Sequence, residues 1–208
     1  LDWRLLLRLV SFGDELTIKE DCHVPELAKS LNMDCLNLGK EDTSNEMIFT
    51  DITKFVCQND MEDFFVLIGW TSPYRRDLYW KDTLFTYRPD RRDYVDNGVN
   101  AMHKFDVALF DEHLISQHWI TYTLSIQKML QSHNIKYYMY NTQNAFIYHQ
   151  DVSKKIQAID LTRYHNPLNQ NSSMAYYLKE KNLPVDSPES AKTWADFLMA
   201  KIYAGDIL

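Results

Sequence analysis

Two acids stand side by side at Asp14 and Glu15, immediately after an apolar run that closes on Phe12 and Gly13. With Asp42 further along, the two carboxylates could hold a hard divalent cation. No known metal motif places Asp14, Glu15 and Asp42, and acids in a surface turn are ordinarily solvated, so no metal and no cofactor is expected. What the pair does mark is an acidic mouth.

Seven histidines offer bases. His113 and His118 flank a helical stripe, where an imidazole is an ordinary surface group. His165 precedes Asn166-Pro167 in a loop and is the best placed to act on a substrate. Ser44 beside Asn45 has the form of a displaced nucleophile with a polar amide, but a serine heading a helix is explained as its N-cap. Cys22 and His23 are adjacent, and adjacent residues rarely aim both side chains at one reacting atom, so Cys22 reads as inert.

Between Tyr74 and Tyr94 aromatic residues alternate with Arg75, Arg76, Lys81, Arg88, Arg91 and Arg92. Such mixtures suit protein interfaces, glycans or single-stranded nucleic acid. Four aspartates in the same stretch offset most of its positive charge. That favours a protein-contact surface, with Tyr74, Arg75, Arg76, Arg91 and Arg92 as its candidate residues.

The whole chain agrees. Its 208 residues carry 29 acidic and 22 basic side chains, a formal charge of −7, whereas gripping phosphate backbones requires accumulated Lys and Arg. No nucleic-acid partner is expected. Three cysteines at wide spacing, with no CxxC pair, indicate neither a disulfide framework nor a thiolate zinc site. The apolar runs are too short to span a bilayer, so no membrane role is expected. Acids follow the N-terminal leucines where a small-residue cleavage site would stand, which argues against a signal peptide.

The elements that must position these residues alternate. Leu5 to Phe12 reads as a buried strand, and Pro25 opens a short helix with Leu27, Ala28 and Leu31 on one face. Cys35 to Leu38 is a second strand, and Ser44 starts a helix carrying Ile48, Ile52, Phe55 and Val56. Phe64 to Trp70 is apolar without alternation, as a parallel strand covered on both faces is. The segment from about 72 to 105 looks like an insertion. Helical spacing returns from Val107 to His133, Ile135 to Tyr140 forms a fourth strand, and Trp194, Phe197, Leu198 and Ile202 mark a closing helix. With no repeat and no linker, residues 1–208 make one domain, an α/β fold with a mainly parallel sheet.

Val10-Ser-Phe-Gly-Asp-Glu-Leu-Thr17 resembles the first block of the SGNH (GDSL-like) hydrolases, in particular a group common in phage genomes that begins with a strand and a Phe-Gly-x-Ser-Phe-Thr turn. Pro25-Glu-Leu-Ala-Lys-Ser-Leu31 is similar to that group's first helix. Asn37-Leu-Gly-Lys-Glu-Asp-Thr-Ser-Asn45 is similar to its second block, and Val66-Leu-Ile-Gly-Trp-Thr71 to its third strand. Ser187-Pro-Glu-Ser-Ala-Lys-Thr-Trp-Ala-Asp-Phe-Leu198 resembles its final block. The resemblance spans nearly the whole chain and misses only residues 72–105. It implies a flavodoxin-like three-layer α/β/α sandwich.

That family's chemistry uses a nucleophilic Ser, a C-terminal His as its base, and an oxyanion hole built from the Ser backbone N–H, a Gly and an Asn. Here Glu15 stands at the nucleophile position, Asp42 at the Gly, Thr71 at the Asn and Val185 at the His. A carboxylate is a weak nucleophile that repels a developing oxyanion, and Val185 moves no proton. The resemblance therefore implies a catalytically degenerate, phage-encoded protein that binds another protein, such as a virion subunit, or a glycan. Its location would be the virion or host cytoplasm, or the cytoplasm if it is not phage-encoded. The alternative is an active esterase or acetyl-esterase on a carbohydrate ester, with Asp14, Glu15, Ser44, Asn45 and His165 as the residues available to it.

Overall fold

In the computed structural model, residues 7–18, 22–80, 83–87, 111–143, 153–169 and 171–208 are described. Strand β1 (Arg8–Phe12) lies between β2 (Asp34–Asn37) and β3 (Phe64–Trp70), both parallel to it. A further parallel strand, Lys136–Asn141, flanks β3 on its other side. Consecutive parallel strands need crossovers, and helices supply them here. The first strands therefore stand in the order 2-1-3, with the Lys136–Asn141 strand next, which is the flavodoxin-like arrangement.

The sheet separates two apolar clusters, as the uninterrupted hydrophobicity of β3 requires. Val10, Phe12, Val66, Ile68 and Trp70 face one side, with Ile48, Ile52 and Val56 of α3 (Asn45–Gln58). Trp119, Ile126 and Leu130 of a long helix, Glu112–Ser132, pack on the same side. Leu9, Phe65, Leu67 and Tyr140 face the other side, against Val24, Leu27 and Leu31 of α2 (His23–Leu31) and Trp194, Leu198 and Ile202 of the closing helix. The successive residues of β1 and β3 thus alternate between two buried faces. This is the expected three-layer sandwich.

The helix boundaries follow local chemistry. Ser44 caps α3 by accepting from the Met47 backbone N–H at 3.1 Å. Asn32 ends α2 in the left-handed region at φ 56°, a conformation that Asn tolerates better than most residues. A one-turn helix, α1 (Glu15–Ile18), follows β1. The long helix α4 (Glu112–Ser132) is capped by the Asp111 side chain, and the strand after it is β6 (Lys136–Asn141). A short α5 (Ser153–Ile156) and α6 (Met174–Glu180) precede α7 (Pro188–Ala204), which Ser187 caps with Pro188 in its first turn.

Two elements are absent from the sequence reading. The segment that looks like an insertion from about 72 to 105 opens with an antiparallel hairpin, β4 (Arg76–Trp80) paired with β5 (Thr83–Tyr87). Its sequence mixes charges and rings without the apolar alternation that a half-buried sheet imposes, so periodicity did not show it. Residues 88–105 of that segment lie outside the described residues. Helix α6 falls between the elements expected from the sequence. It is seven residues long, capped by Ser173, and buries only Met174 and Leu178, too little for a visible stripe.

Candidate functional site

The carboxyl ends of the parallel strands carry the site, where an open α/β sheet ordinarily binds its ligands. Gly13 turns the chain off β1 with no room for a side chain: a Cβ there would lie 2.5 Å from Thr17 Cγ2 and 3.1 Å from the Gly69 carbonyl. Asp14 and Glu15 follow.

Asp14 is fully buried, and its surroundings are built for a carboxylate. Thr71, just after β3, donates its hydroxyl to Asp14 Oδ2 at 2.8 Å, and Thr142, just after β6, donates at 2.7 Å. The Leu16 backbone N–H donates to Oδ1 at 3.1 Å. Burial and the adjacent Glu15 charge push the Asp14 carboxyl above its ordinary value, while the two hydroxyl donors hold it back. Asp14 thus ties together the ends of β1, β3 and β6.

Glu15 is bound by an arginine. Arg75 Nη1 donates to Glu15 Oε2 at 2.6 Å, and Nη2 donates to Oε1, a two-pronged ion pair. Gln143 Nε2 adds a hydrogen bond to Oε1 at 3.0 Å. The Arg75 side chain is only 2% exposed. Burial works against its charge, but the hydrogen bond and charge of Glu15, with the fields of Asp14 and Asp42, leave the guanidinium more firmly protonated than usual. Arg75, expected from the sequence in a contact surface, is buried in this pair. An arginine next to so much negative charge turns inward to neutralise it.

The other positions of interest fall into place around these two. Asp42 is exposed and holds φ at 45°, a backbone region that glycine enters without steric cost. Asn45 is pinned: its side-chain oxygen accepts from the Thr71 N–H at 3.0 Å and its amide donates to the Thr71 carbonyl at 3.3 Å. Thr71 therefore has both its N–H and its hydroxyl engaged. Ser44 is buried, caps α3 and donates its hydroxyl to Asp77. Val185 is partly buried against the apolar cluster of α2 and α7.

His165 lies away from these groups. Its ring packs edge-on against Phe197 at 4.8 Å and Trp194 at 6.2 Å between centroids. Burial, then the nearby Lys201, lowers its pKa to about 4, so it packs as a neutral ring. His23, which sequence reasoning set aside, is fully buried with Nε2 2.5 Å from the Tyr140 hydroxyl, and burial takes its pKa down to about 3. Cys22 is buried with its thiol 2.8 Å from the Thr17 carbonyl, consistent with an inert group. Tyr74 and Arg76 are half-buried beside the site, and Arg91 and Arg92 lie outside the described residues. Among the described residues no group of three His, Cys, Asp or Glu could hold a metal ion, and no helix is long and apolar enough to cross a membrane.

Sequence reasoning missed Arg75 as the partner of Glu15, and Thr142 and Gln143 as partners of Asp14 and Glu15. Only the position of Thr142 and Gln143 just after a predicted strand could have pointed to them.

No family profile and no curated protein matches the chain. Among solved structures it is similar to a protein of the G-D-S-L family from Desulfitobacterium hafniense DCB-2, with 13% identity, 97% of this chain and 99% of that one covered, and a TM-score of 0.43. It is similar to a protein of SGNH hydrolase type from Slackia heliotrinireducens, with 11% identity, 97% and 98% covered, and a TM-score of 0.46. An acetyl xylan esterase gives 14% identity, 95% and 98% covered, and a TM-score of 0.46.

Proposed function

We propose that the chain is a catalytically degenerate SGNH hydrolase-like protein, phage-encoded, that binds a protein or a glycan instead of hydrolysing an ester. The observation that carries this reading is the bidentate Glu15–Arg75 pair in the seat where acyl transfer needs a free hydroxyl. A carboxylate so held is a poor nucleophile, and its acyl product would be a mixed anhydride. Donors that could steady an oxyanion are engaged too, since the Thr71 N–H serves Asn45 and the Thr71 hydroxyl serves Asp14.

The sequence blocks that resemble the hydrolases support the superfamily part of the reading. They fall after β1, after β2, after β3 and at the head of α7, the strand ends and helix start that such a site would use. The phage origin rests on the resemblance of the first two blocks. A virion-associated role, and a partner that meets the Tyr74 to Arg92 segment, follow from the same resemblance and from the aromatic and arginine content of that segment.

Turnover of p-nitrophenyl acetate by the whole chain, by Glu15→Ala and by Glu15→Ser tests the proposal. The expected result is that none exceeds the buffer rate. Turnover in the unmodified chain that disappears in Glu15→Ala overturns it and establishes the esterase alternative.

A further inference from the structure

A cavity of about 240 Å3 opens on the α3 and α4 face of the sheet, beside the acidic cluster and sharing Asn45 and Arg75 with its surroundings. Pro73, Ile115, Trp119 and Tyr122 make its apolar and aromatic walls, and Glu46 and Asp77 supply carboxylates. A volume of this order takes a molecule the size of one ring with a short substituent.

The charges of the walls decide what kind of molecule. Arg75 reaches the cavity but is held by Glu15. Arg76, also in the wall, has interactions of its own. Asp77 is half-buried and accepts hydroxyl hydrogen bonds from Ser44 and, at 3.0 Å, from Thr86. Two hydroxyls leave a carboxylate with room for further donors. Neither Asp77 nor Glu46 has an ion-pair partner among the described residues. Both bear on one point in the cavity: after burial, their charges are what raise the Tyr122 phenol above its ordinary value.

Tyr122 already has aromatic neighbours. Phe49 stacks on it at 5.0 Å, and His118 lies 6.2 Å away at a tilt. Recognition in this cavity therefore falls to the carboxylates and the apolar wall.

We propose that this cavity binds a small primary amine, its ammonium held between Asp77 and Glu46 and its apolar body against Pro73, Ile115 and Trp119. An anionic ligand would meet two carboxylates that have no ion-pair partner among the described residues, in a protein of net charge −7. A neutral ligand of the same shape would keep the apolar contacts and forgo the charge-assisted hydrogen bonds. This inference goes beyond the proposed function and does not depend on it, since ester turnover and amine binding are measured separately.

Calorimetric titration with benzylamine, and with benzyl alcohol as its neutral counterpart, at pH 7 and low salt, tests the site. Benzylamine is expected to bind about ten-fold tighter than benzyl alcohol, the effect of one charge-assisted contact of modest strength. Glu46→Gln and Asp77→Asn should each reduce that preference several-fold and leave benzyl alcohol binding unchanged. Glu46 is exposed at the head of α3, so its variant keeps the fold, as an unchanged thermal midpoint will confirm. Equal affinity for the two probes, a preference that survives in both variants, or no saturable benzylamine binding overturns the proposal.

Discussion

Glu15 and Arg75, sixty positions apart in the chain, form a two-pronged ion pair at the carboxyl end of the central sheet, with the Arg75 side chain almost wholly buried. A buried pair of this kind adds little net stability over apolar residues of the same size. Removing one partner is another matter, because the remaining charge loses its bidentate contact in a poorly solvated place.

Arg75→Met is therefore expected to destabilise the protein by about 3 kcal/mol in urea denaturation, because Glu15 loses its two-pronged partner and Asp14 loses the field of a nearby cation. Adding Glu15→Gln should recover a good part of that loss. The double-variant cycle measures the coupling directly, and strict additivity of the two changes would show that the pair is not energetically linked.

Asp14→Ala should be more damaging than its small volume change suggests. It strands the Thr71 hydroxyl and the Leu16 N–H, and takes from Thr142 its shorter acceptor, leaving it the Trp70 carbonyl at 3.0 Å. Unsatisfied buried groups cost about 1–3 kcal/mol each. A loss of at least about 2 kcal/mol is expected for Asp14→Ala, against a smaller one for Thr142→Val. The two midpoints in a single denaturation series decide the order.

Ser44→Ala removes both the cap of α3 and a donor to Asp77, and should lower stability by about 1 kcal/mol. If Ser44 is a cap and not a nucleophile, the variant's rate in the acetyl-ester assay should equal that of the unmodified chain.

His23 sets a pH dependence. Its folded pKa, about 3, lies below the ordinary value of 6.5, so the unfolded chain binds the proton first as pH falls. Stability from this group is complete above pH 6.5 and declines as pH drops from there toward 3, at up to about 1.4 kcal/mol per pH unit. His165, at about 4, adds a decline of the same sign over pH 6.5 to 4. Asp14, with its raised pKa, contributes in the opposite sense. Comparing denaturation of the unmodified chain and His23→Gln at pH 6, 5 and 4 isolates the His23 share: the variant's slope should be shallower, and identical slopes would refute the assignment.

Gly69→Ala should disturb the same pair sterically. A Cβ at Gly69 would stand 2.8 Å from the Tyr140 hydroxyl and 2.9 Å from Thr142 Cγ2. Tyr140 is fully buried and hydrogen-bonded to His23, so it has nowhere to retreat. Overpacking of this sort costs about 1–3 kcal/mol, readable as a lowered thermal midpoint.

The primary structure alone determined the alternation of strand and helix, because the apolar run Phe64–Trp70 can only be covered on both faces and because Ser44 announces its helix by local capping. Its motif blocks also carry the resemblance to the SGNH hydrolases, which implies that Glu15, Asp42, Thr71 and Val185 stand at that family's site positions. The tertiary structure decided the partners. That Arg75 meets Glu15, that Thr71 and Thr142 both reach Asp14, and that Tyr140 meets His23 depend on β1, β3 and β6 lying side by side in register. No local pattern encodes those distances, because each joins residues whose proximity exists only once the crossovers have brought the strand ends together. The helix α6 stayed hidden for a related reason: it buries only Met174 and Leu178, too little apolar surface to leave a period in the sequence.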